Sequence, residues 1–234
     1  MSEIRCRPGT RSDLPAILAI YNHYVTETAV TFEVEPVRVE DRSKWFDEHA
    51  GPGRHRVVVA AEPDGDVVGW ATTSPFHPRA GYATTVESSV YCRADRLGRG
   101  IGSRLYASLF AAIEAEDVER IVAGIALPNP ASVALHQRFG FRRVGTFTRV
   151  GRKHGRFWDV AWFERPGPRA GSFHRDAGAH VGAGREDEDD RGLDGEDEHL
   201  EPVVGREGSA VAVPRRVGDV GQRVDREEDP DRVG

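Results

Sequence analysis

Between Thr84 and Tyr106 the chain passes from an extended run, through a turn with glycines at 98, 100 and 102, into a helix-periodic run. Few folds accommodate that succession. Thr84 to Tyr91 reads as a strand carrying one acidic residue, Glu87, and the run from Ile101 onward reads as an amphipathic helix. Glycine in the first turn of a helix costs about 0.5–1 kcal/mol relative to alanine, so three clustered there point to a backbone task. Backbone N–H groups at a helix start can close on a phosphate, helped by the positive end of the helix dipole. A carboxylate upstream on the same strand then stands near whatever the phosphate-bearing molecule delivers, which suggests group transfer from a nucleotide-linked cofactor. The glycines alone also allow a flexible turn without a ligand. Two other phosphate loops are excluded. A P-loop needs Lys-Ser or Lys-Thr after its last glycine, whereas Gly102 is followed by Ser103-Arg104. The dinucleotide fingerprint counted from Gly98 needs glycine where Ser103 stands.

The core has to form before residue 167. All four tryptophans and all five tyrosines precede residue 163, and residues 167–234 hold one phenylalanine, Phe173, and two leucines, Leu193 and Leu200. That segment has 18 acidic and 10 basic residues, so the first 166 residues carry a net charge of +2 and the tail carries −8. So little apolar surface does not offset a chain entropy of roughly 1–2 kcal/mol per residue, and residues 167–234 are expected to be an acidic, disordered tail. The tail reads as a solvated passenger or an acidic interaction arm, and its restricted alphabet also resembles GC-rich coding sequence read out of frame. No signal peptide, membrane-spanning apolar run or basic stripe is legible, so neither membrane nor nucleic acid is an expected partner. Cys6 and Cys92 alone make no disulfide framework or metal spacing; the expected setting is a reducing cytoplasm, with no metal.

Within residues 1–166 the patterns predict a strand at Ile4–Arg7 and a helix capped by Ser12 or Asp13. A loop is predicted over Val25–Glu35 and a second helix over Val39–Glu48. Arg56–Glu62 and Val67–Thr73 flank the turn Pro63-Asp-Gly-Asp66 as a hairpin. After the Glu87 strand and its helix come a strand at Arg120–Ala126, a helix with Asn129 as N-cap and Pro130 in its first turn, and strands at Phe141–Thr148 and Phe157–Phe163. The order β-α-α-β-β-β-α-β-α-β-β makes an α/β domain with one mixed sheet flanked by helices.

The glycine turn resembles motif A of the GNAT superfamily of acetyl-CoA-dependent N-acyltransferases, Gln/Arg-x-x-Gly-x-Gly/Ala. Gly100 and Gly102 match it; Leu97 stands at the Gln/Arg position, flanked by Arg96 and Arg99. Five further segments resemble the phosphinothricin and methionine sulfoximine acetyltransferase group. They are Ile20-Tyr-Asn-His-Tyr24, Thr84-Thr-Val-Glu-Ser-Ser-Val-Tyr91, Leu127-Pro-Asn-Pro-Ala-Ser132, Leu135-His136 with Phe139-Gly-Phe141, and Lys153-His-Gly-Arg-Phe-Trp-Asp-Val160. The likeness spans about residues 3–165. It implies the GNAT fold with a mostly antiparallel sheet, acetyl-CoA as co-substrate, a small amino-acid-like amine as acceptor and a homodimer.

Acyl transfer to an amine requires removing a proton from the substrate ammonium and returning one to the leaving thiolate. Glu87 is the candidate base, because burial on a strand raises a carboxyl pKa towards a useful value. His136 occupies the position where many members of the superfamily place a tyrosine, and an imidazole can act there as acid or proton relay. The resemblance assigns Leu97, Gly98, Arg99, Gly100, Ile101, Gly102 and Ser103 to the pyrophosphate cradle. It sets Asn129 and Ser132 beside the CoA arm and runs the main chain of Val90, Tyr91 and Cys92 along pantetheine. A peptide N–H in that last segment can also stabilise an oxyanion. Cys92 lacks a paired base and reads as packing, which favours direct transfer. Arg79 lies where the family reads an acidic group of the acceptor, and a guanidinium suits bidentate capture of carboxylate or phosphinate. Phe32, Tyr82 and Lys153 are further pocket candidates that equally suit surface or core. Other readings remain: transfer to a peptide N-terminus or another metabolite amine, or a CoA-binding module without catalysis.

Overall fold

Side-chain periodicity decides which layer each element joins. The computed structural model describes residues 4–170, so the expectations for the acidic tail beyond Ala170 lie outside the described residues. The elements are β1 (Arg5–Pro8), α1 (Leu14–Glu27), α2 (Val39–Ala50), β2 (Arg56–Ala61), β3 (Val67–Pro75), β4 (Thr85–Cys92), α3 (Ile101–Ala112), β5 (Arg120–Ala126), α4 (Pro130–Arg138), β6 (Arg142–Lys153) and β7 (Arg156–Pro166). They follow the order the patterns predict. One seven-stranded sheet runs β1-β2-β3-β4-β5-β7-β6, antiparallel except where β4 meets β5. Among the described residues no helix is long and apolar enough to cross a membrane.

β2 and β3 are buried on both faces, β4 and β5 bury mainly the face towards α3, and alternate residues of each strand serve different layers. Val57 and Val59 of β2 and Trp70 of β3 pack with Leu14, Ile17, Leu18, Tyr21 and Val25 of α1 and Phe46 of α2. Val58, Ala60, Val68, Ala71, Val86, Ile121, Ala123 and Ile125 pack with Ile101, Leu105, Tyr106 and Leu109 of α3. Partly buried Val133, Leu135 and Phe139 bring α4 onto that second layer. Full burial of each such side chain contributes about 1.5–3 kcal/mol, so the four-residue apolar stripe of α3 suffices to dock it.

The largest differences from the sequence reading are the end of α1, the role of Asp13 and the lengths of β6 and β7. Val25 to Glu27 continue α1 rather than opening the loop, because Val25 is fully buried against the sheet. Asp13 precedes α1 but makes no side-chain cap to it. Its carboxylate turns back to accept from Arg7 at 2.7 and 2.8 Å and from Thr10, and that pairing holds its pKa down to about 2. β6 and β7 run longer than predicted, since their outer ends form an exposed hairpin with no apolar alternation to signal it. The chain also remains tied to the domain just past Pro166: Gly167 N donates to Glu119 O at 2.9 Å and Arg169 N to Val118 O at 3.2 Å.

Candidate active site

The sheet divides at Glu87. β4 pairs with β5 at only three positions, Thr85 with Arg120, Val86 with Ile121 and Glu87 with Val122. Its other edge stays paired with β3 as far as Cys92, and β5 stays paired with β7 as far as Ala126. Beyond Glu87 the two central strands therefore separate, and the Ser88 hydroxyl, 3.4 Å from Val122 O, stands at the apex of the opening. Thr84 O accepts from Glu119 N and Arg120 N on the β5 side. Strand alternation then turns the main-chain groups of Ser88, Val90 and Cys92 the same way, into the fork. Cys92 O already accepts the Tyr24 hydroxyl at 2.6 Å. Val90 is left as the rung that an extended ligand can pair with.

The glycine turn follows β4. Gly98 and Gly100 have φ of +73° and +74°, and a Cβ at either would meet nothing within 4 Å, so left-handed backbone geometry explains both. Gly102 has a different reason. A Cβ there would lie 3.0 Å from Leu135 Cδ2, so its absence lets α4 approach α3. Gly100 is the N-cap of α3, and the helix's own bonding starts with Arg104 N to Gly100 O. The N–H groups of Ile101, Gly102 and Ser103 precede that bond and point out of the helix end, where an anion can take them. Leu97 is exposed at 59 %. Of the two arginines beside it, Arg96 is held by Glu62 and Asp95, while Arg99 is exposed on the turn. This cradle and the main-chain rung at Val90 fit a ligand with a pyrophosphate and an extended amide arm.

Asn129 caps α4 as its pattern predicts, with Oδ1 accepting from Ser132 N at 3.1 Å. Cys92 is half-buried and burial pushes its thiol pKa up to about 11, which keeps it protonated and unreactive.

Glu87 and His136 fall on opposite faces of the sheet. Alternation sets Glu87 with Ser89 and Tyr91 towards α1 and α2, and Ser88 towards α3 and α4. His136 is buried among Tyr106, Phe141 and Phe163. Its Nδ1 donates to Ser132 O at 2.7 Å, which leaves Nε2 to accept from the Tyr106 hydroxyl at 2.8 Å. That hydroxyl lies 3.4 Å from Ser88 Oγ at the fork's apex. Burial lowers the His136 pKa, partly opposed by the bond to Ser132, so the ring is neutral with both nitrogens engaged. In this arrangement His136 is the acceptor for the Tyr106 hydroxyl. Burial raises the Tyr106 pKa, and the Glu87 charge adds to that rise. Tyr106 was not singled out from sequence.

The four acceptor-pocket candidates separate into two groups. Arg79 and Tyr82 share the exposed turn between β3 and β4, where the Tyr82 ring meets His77 and Phe76, at centroid distances of 4.8 and 5.8 Å. Phe76 meets Trp162 edge-on at 6.1 Å. Trp162 opposes Gly124 of β5, two residues beyond the Glu87–Val122 rung and on the same face as Glu87. Trp162, with Phe76 and Tyr82 packed in series against it, thus lies on the sheet face that carries Glu87, and Phe76 and Trp162 were not singled out from sequence. Phe32 and Lys153 lie together elsewhere. A Cβ on Gly151 would overlap the Phe32 ring, so the glycine gives that ring its seat. Lys153 is only 4 % exposed and donates to Thr31 O at 2.7 Å, and burial lowers its pKa. Its ammonium fastens the loop that carries Phe32 rather than facing an acceptor. Among the described residues no group of three or more His, Cys, Asp or Glu is gathered so as to hold a metal ion.

Comparison with known proteins agrees with this geometry. Residues 7–162 match the acetyltransferase (GNAT) domain family. A phosphinothricin N-acetyltransferase of Streptomyces coelicolor is 52 % identical over 166 residues, covering 70 % of this chain and 97 % of the relative. An L-methionine sulfoximine/L-methionine sulfone acetyltransferase of Pseudomonas paraeruginosa is 39 % identical over 153 residues, covering 65 % and 88 %. The crystal structure of a GNAT superfamily phosphinothricin acetyltransferase from Sinorhizobium meliloti, in complex with AcCoA, superposes with a TM-score of 0.69 at 31 % identity, over 74 % of this chain and 92 % of that one.

Proposed function

The chain belongs to the GNAT acetyltransferase family, and we propose that it moves the acetyl group of acetyl-CoA to the primary amine of a small amino-acid-like acceptor of the phosphinothricin or methionine sulfoximine type. One observation carries this reading: β4 and β5 part directly after Glu87, with the glycine cradle at the same end of β4. Acetyl-CoA supplies a thioester carbonyl when bound.

The N–H groups at the start of α3 hold the pyrophosphate, and Val90 pairs with the amide arm, steered between the strands by Asn129 and Ser132 on α4. Glu87 takes the proton from the acceptor ammonium, so that the free amine attacks directly with no acyl-Cys92 step. A main-chain N–H facing the fork at Val90 stabilises the negative charge that develops on the carbonyl oxygen. His136 acts through Tyr106, whose hydroxyl it orients at the apex on the side where the thiolate leaves. Arg79 pairs with the acceptor's carboxylate or phosphinate, and Tyr82, Phe76 and Trp162 flank its side chain. Acetylation of such inhibitors would confer resistance, and an ordinary amino acid analogue can serve as the native acceptor. We assign a cytoplasmic homodimer. The exposed Val144, Phe147, Val150 and Phe157 on the outer hairpin of β6 and β7 support association with a second copy.

A thiol-release assay with acetyl-CoA and a panel of amines, including phosphinothricin and methionine sulfoximine, tests the proposal. Turnover should be found on α-amino acid analogues and be abolished by Glu87→Gln. No turnover on any of them sinks the acceptor class.

A further inference from the structure

Behind Glu87 lies a buried histidine that the mechanism above leaves unused. His49, on the last turn of α2, is 3 % exposed and packs against Trp45 with ring centroids 4.6 Å apart. Its Nδ1 lies 2.7 Å from Trp45 O and its Nε2 lies 3.1 Å from Ser74 Oγ. A carbonyl can only accept, so Nδ1 carries the proton and Nε2 takes the Ser74 hydroxyl proton. Having donated to His49, Ser74 Oγ keeps lone pairs for a further donor. Ser74 is the residue directly opposite Glu87 in the β3–β4 register, on the same face of the sheet. Residues so placed have Cβ atoms about 4.5–5.5 Å apart, which a glutamic acid O–H spans to reach a serine oxygen.

We infer that Ser74 and His49 carry away the proton that Glu87 removes from the acceptor. The inference rests on the reading of Glu87 as base. The protonated Glu87 O–H passes its proton to Ser74 Oγ while Ser74 gives its own to His49 Nε2. One O–H bond breaks and one forms at serine, one N–H bond forms on the imidazole, and Glu87 returns to carboxylate. No electrons are exchanged; a single positive charge comes to rest on His49. His55 stacks on His49 at 5.8 Å and is half-buried. Tyr91 lies on Glu87's own strand, Arg120 sits beside Thr85 on β5 and Glu164 opposite Val122 on β7, and the Glu87 charge acts on Tyr106 of α3. None of these has His49's chain of hydroxyl and imidazole leading off the register partner of Glu87.

The test compares wild type, Ser74→Ala, Ser74→Thr, His49→Gln and Glu87→Gln at saturating acetyl-CoA, in pH–rate profiles and in mixtures of H2O and D2O. Ser74→Ala should slow turnover by roughly ten-fold, a part of the whole general-base contribution, with KM for acetyl-CoA unchanged. It should displace the acidic limb of kcat/KM and turn a curved dependence on deuterium fraction into a linear one. Ser74→Thr, which keeps the hydroxyl, should restore both. His49→Gln should match Ser74→Ala; if it fails to fold, Ser74→Ala still decides, because it deletes a single oxygen. A Ser74→Ala enzyme with the wild-type profile, beside an inactive Glu87→Gln, overturns the relay and leaves the base assignment standing. A Glu87→Gln enzyme with the wild-type rate overturns the base assignment itself.

Discussion

Tyr106→Phe is the sharpest probe of the buried network under the fork. The Tyr106 hydroxyl is the donor to His136 Nε2 at 2.8 Å, and Nδ1 is committed to Ser132 O at 2.7 Å. Removing the hydroxyl therefore leaves a buried ring nitrogen with no donor, while the phenyl ring keeps its contacts with Phe139, Phe141 and Phe110. An orphaned buried polar group costs about 1–3 kcal/mol. For a domain of this size each kcal/mol moves the melting temperature by about 2–4 °C, so a fall of roughly 2–12 °C is expected. His136→Leu alone leaves the Tyr106 hydroxyl with only the 3.4 Å approach to Ser88 and should cost a similar amount. Combining the two replaces both partners with apolar groups, which is close to neutral for the pair, so the summed singles should exceed the double by at least about 2 kcal/mol. Urea denaturation of the four proteins completes the cycle, and turnover on the same samples separates chemistry from folding. Additive singles, agreeing within about 0.5 kcal/mol, would refute the hydrogen bond as the reason for the pair. The pH dependence follows from the lowered His136 pKa. Below the unfolded value of 6.5 the unfolded chain binds the proton first, so stability declines as pH falls through 6.5 and levels off beneath the depressed folded value. His55 is lowered as well, so His136→Leu should flatten this decline without abolishing it.

Gly100→Ala meets no atom within 4 Å but must hold φ of +74°, so a loss of about 1–2 kcal/mol and weaker acetyl-CoA binding by calorimetry are expected. Leu97→Arg adds a cation to the exposed side of the cradle and should tighten acetyl-CoA by roughly two- to five-fold at low salt, an exposed charge contribution of about 0.3–1 kcal/mol that salt then removes. Arg79→Ala should raise KM for an acidic acceptor by roughly ten-fold and leave KM for acetyl-CoA unchanged; a rise in both would mean that the turn only supports the fold. Asp13→Asn should cost about 1–2 kcal/mol at neutral pH, since its folded pKa of about 2 lies below the ordinary 3.8 and Arg7 is partly exposed. That difference is present above 3.8 and should vanish as chemical denaturation is repeated down to pH 2.

The order of elements was legible because period and punctuation are local. Leu14, Ile17, Leu18 and Tyr21 state a helix without reference to any partner, and Pro63-Asp-Gly-Asp66 states a turn. Asn129 was legible for the same reason, a cap being a contact between residues three apart. What escaped is what depends on a partner distant in the chain. Gly102 reads like Gly98 and Gly100, yet Leu135 on another helix explains it. Lys153 reads as a pocket candidate that equally suits surface or core until the Thr31 carbonyl, 122 residues away, is found beneath its ammonium. Glu87 and His136 read in sequence as candidate base and candidate acid or relay, and the sheet passes between them. Strand alternation, visible in the sequence around Glu87, implied that Ser88 rather than Glu87 faces the helix layer of His136. What that period left open was the identity of the helix supplying Tyr106, because a helix stripe declares that a residue is buried without declaring what its hydroxyl meets. A pair assigned from two motifs is therefore safest when both lie on one element. Where a sheet intervenes, the hydroxyls at the crossing, here those of Ser88 and Tyr106, have to be identified before roles are divided.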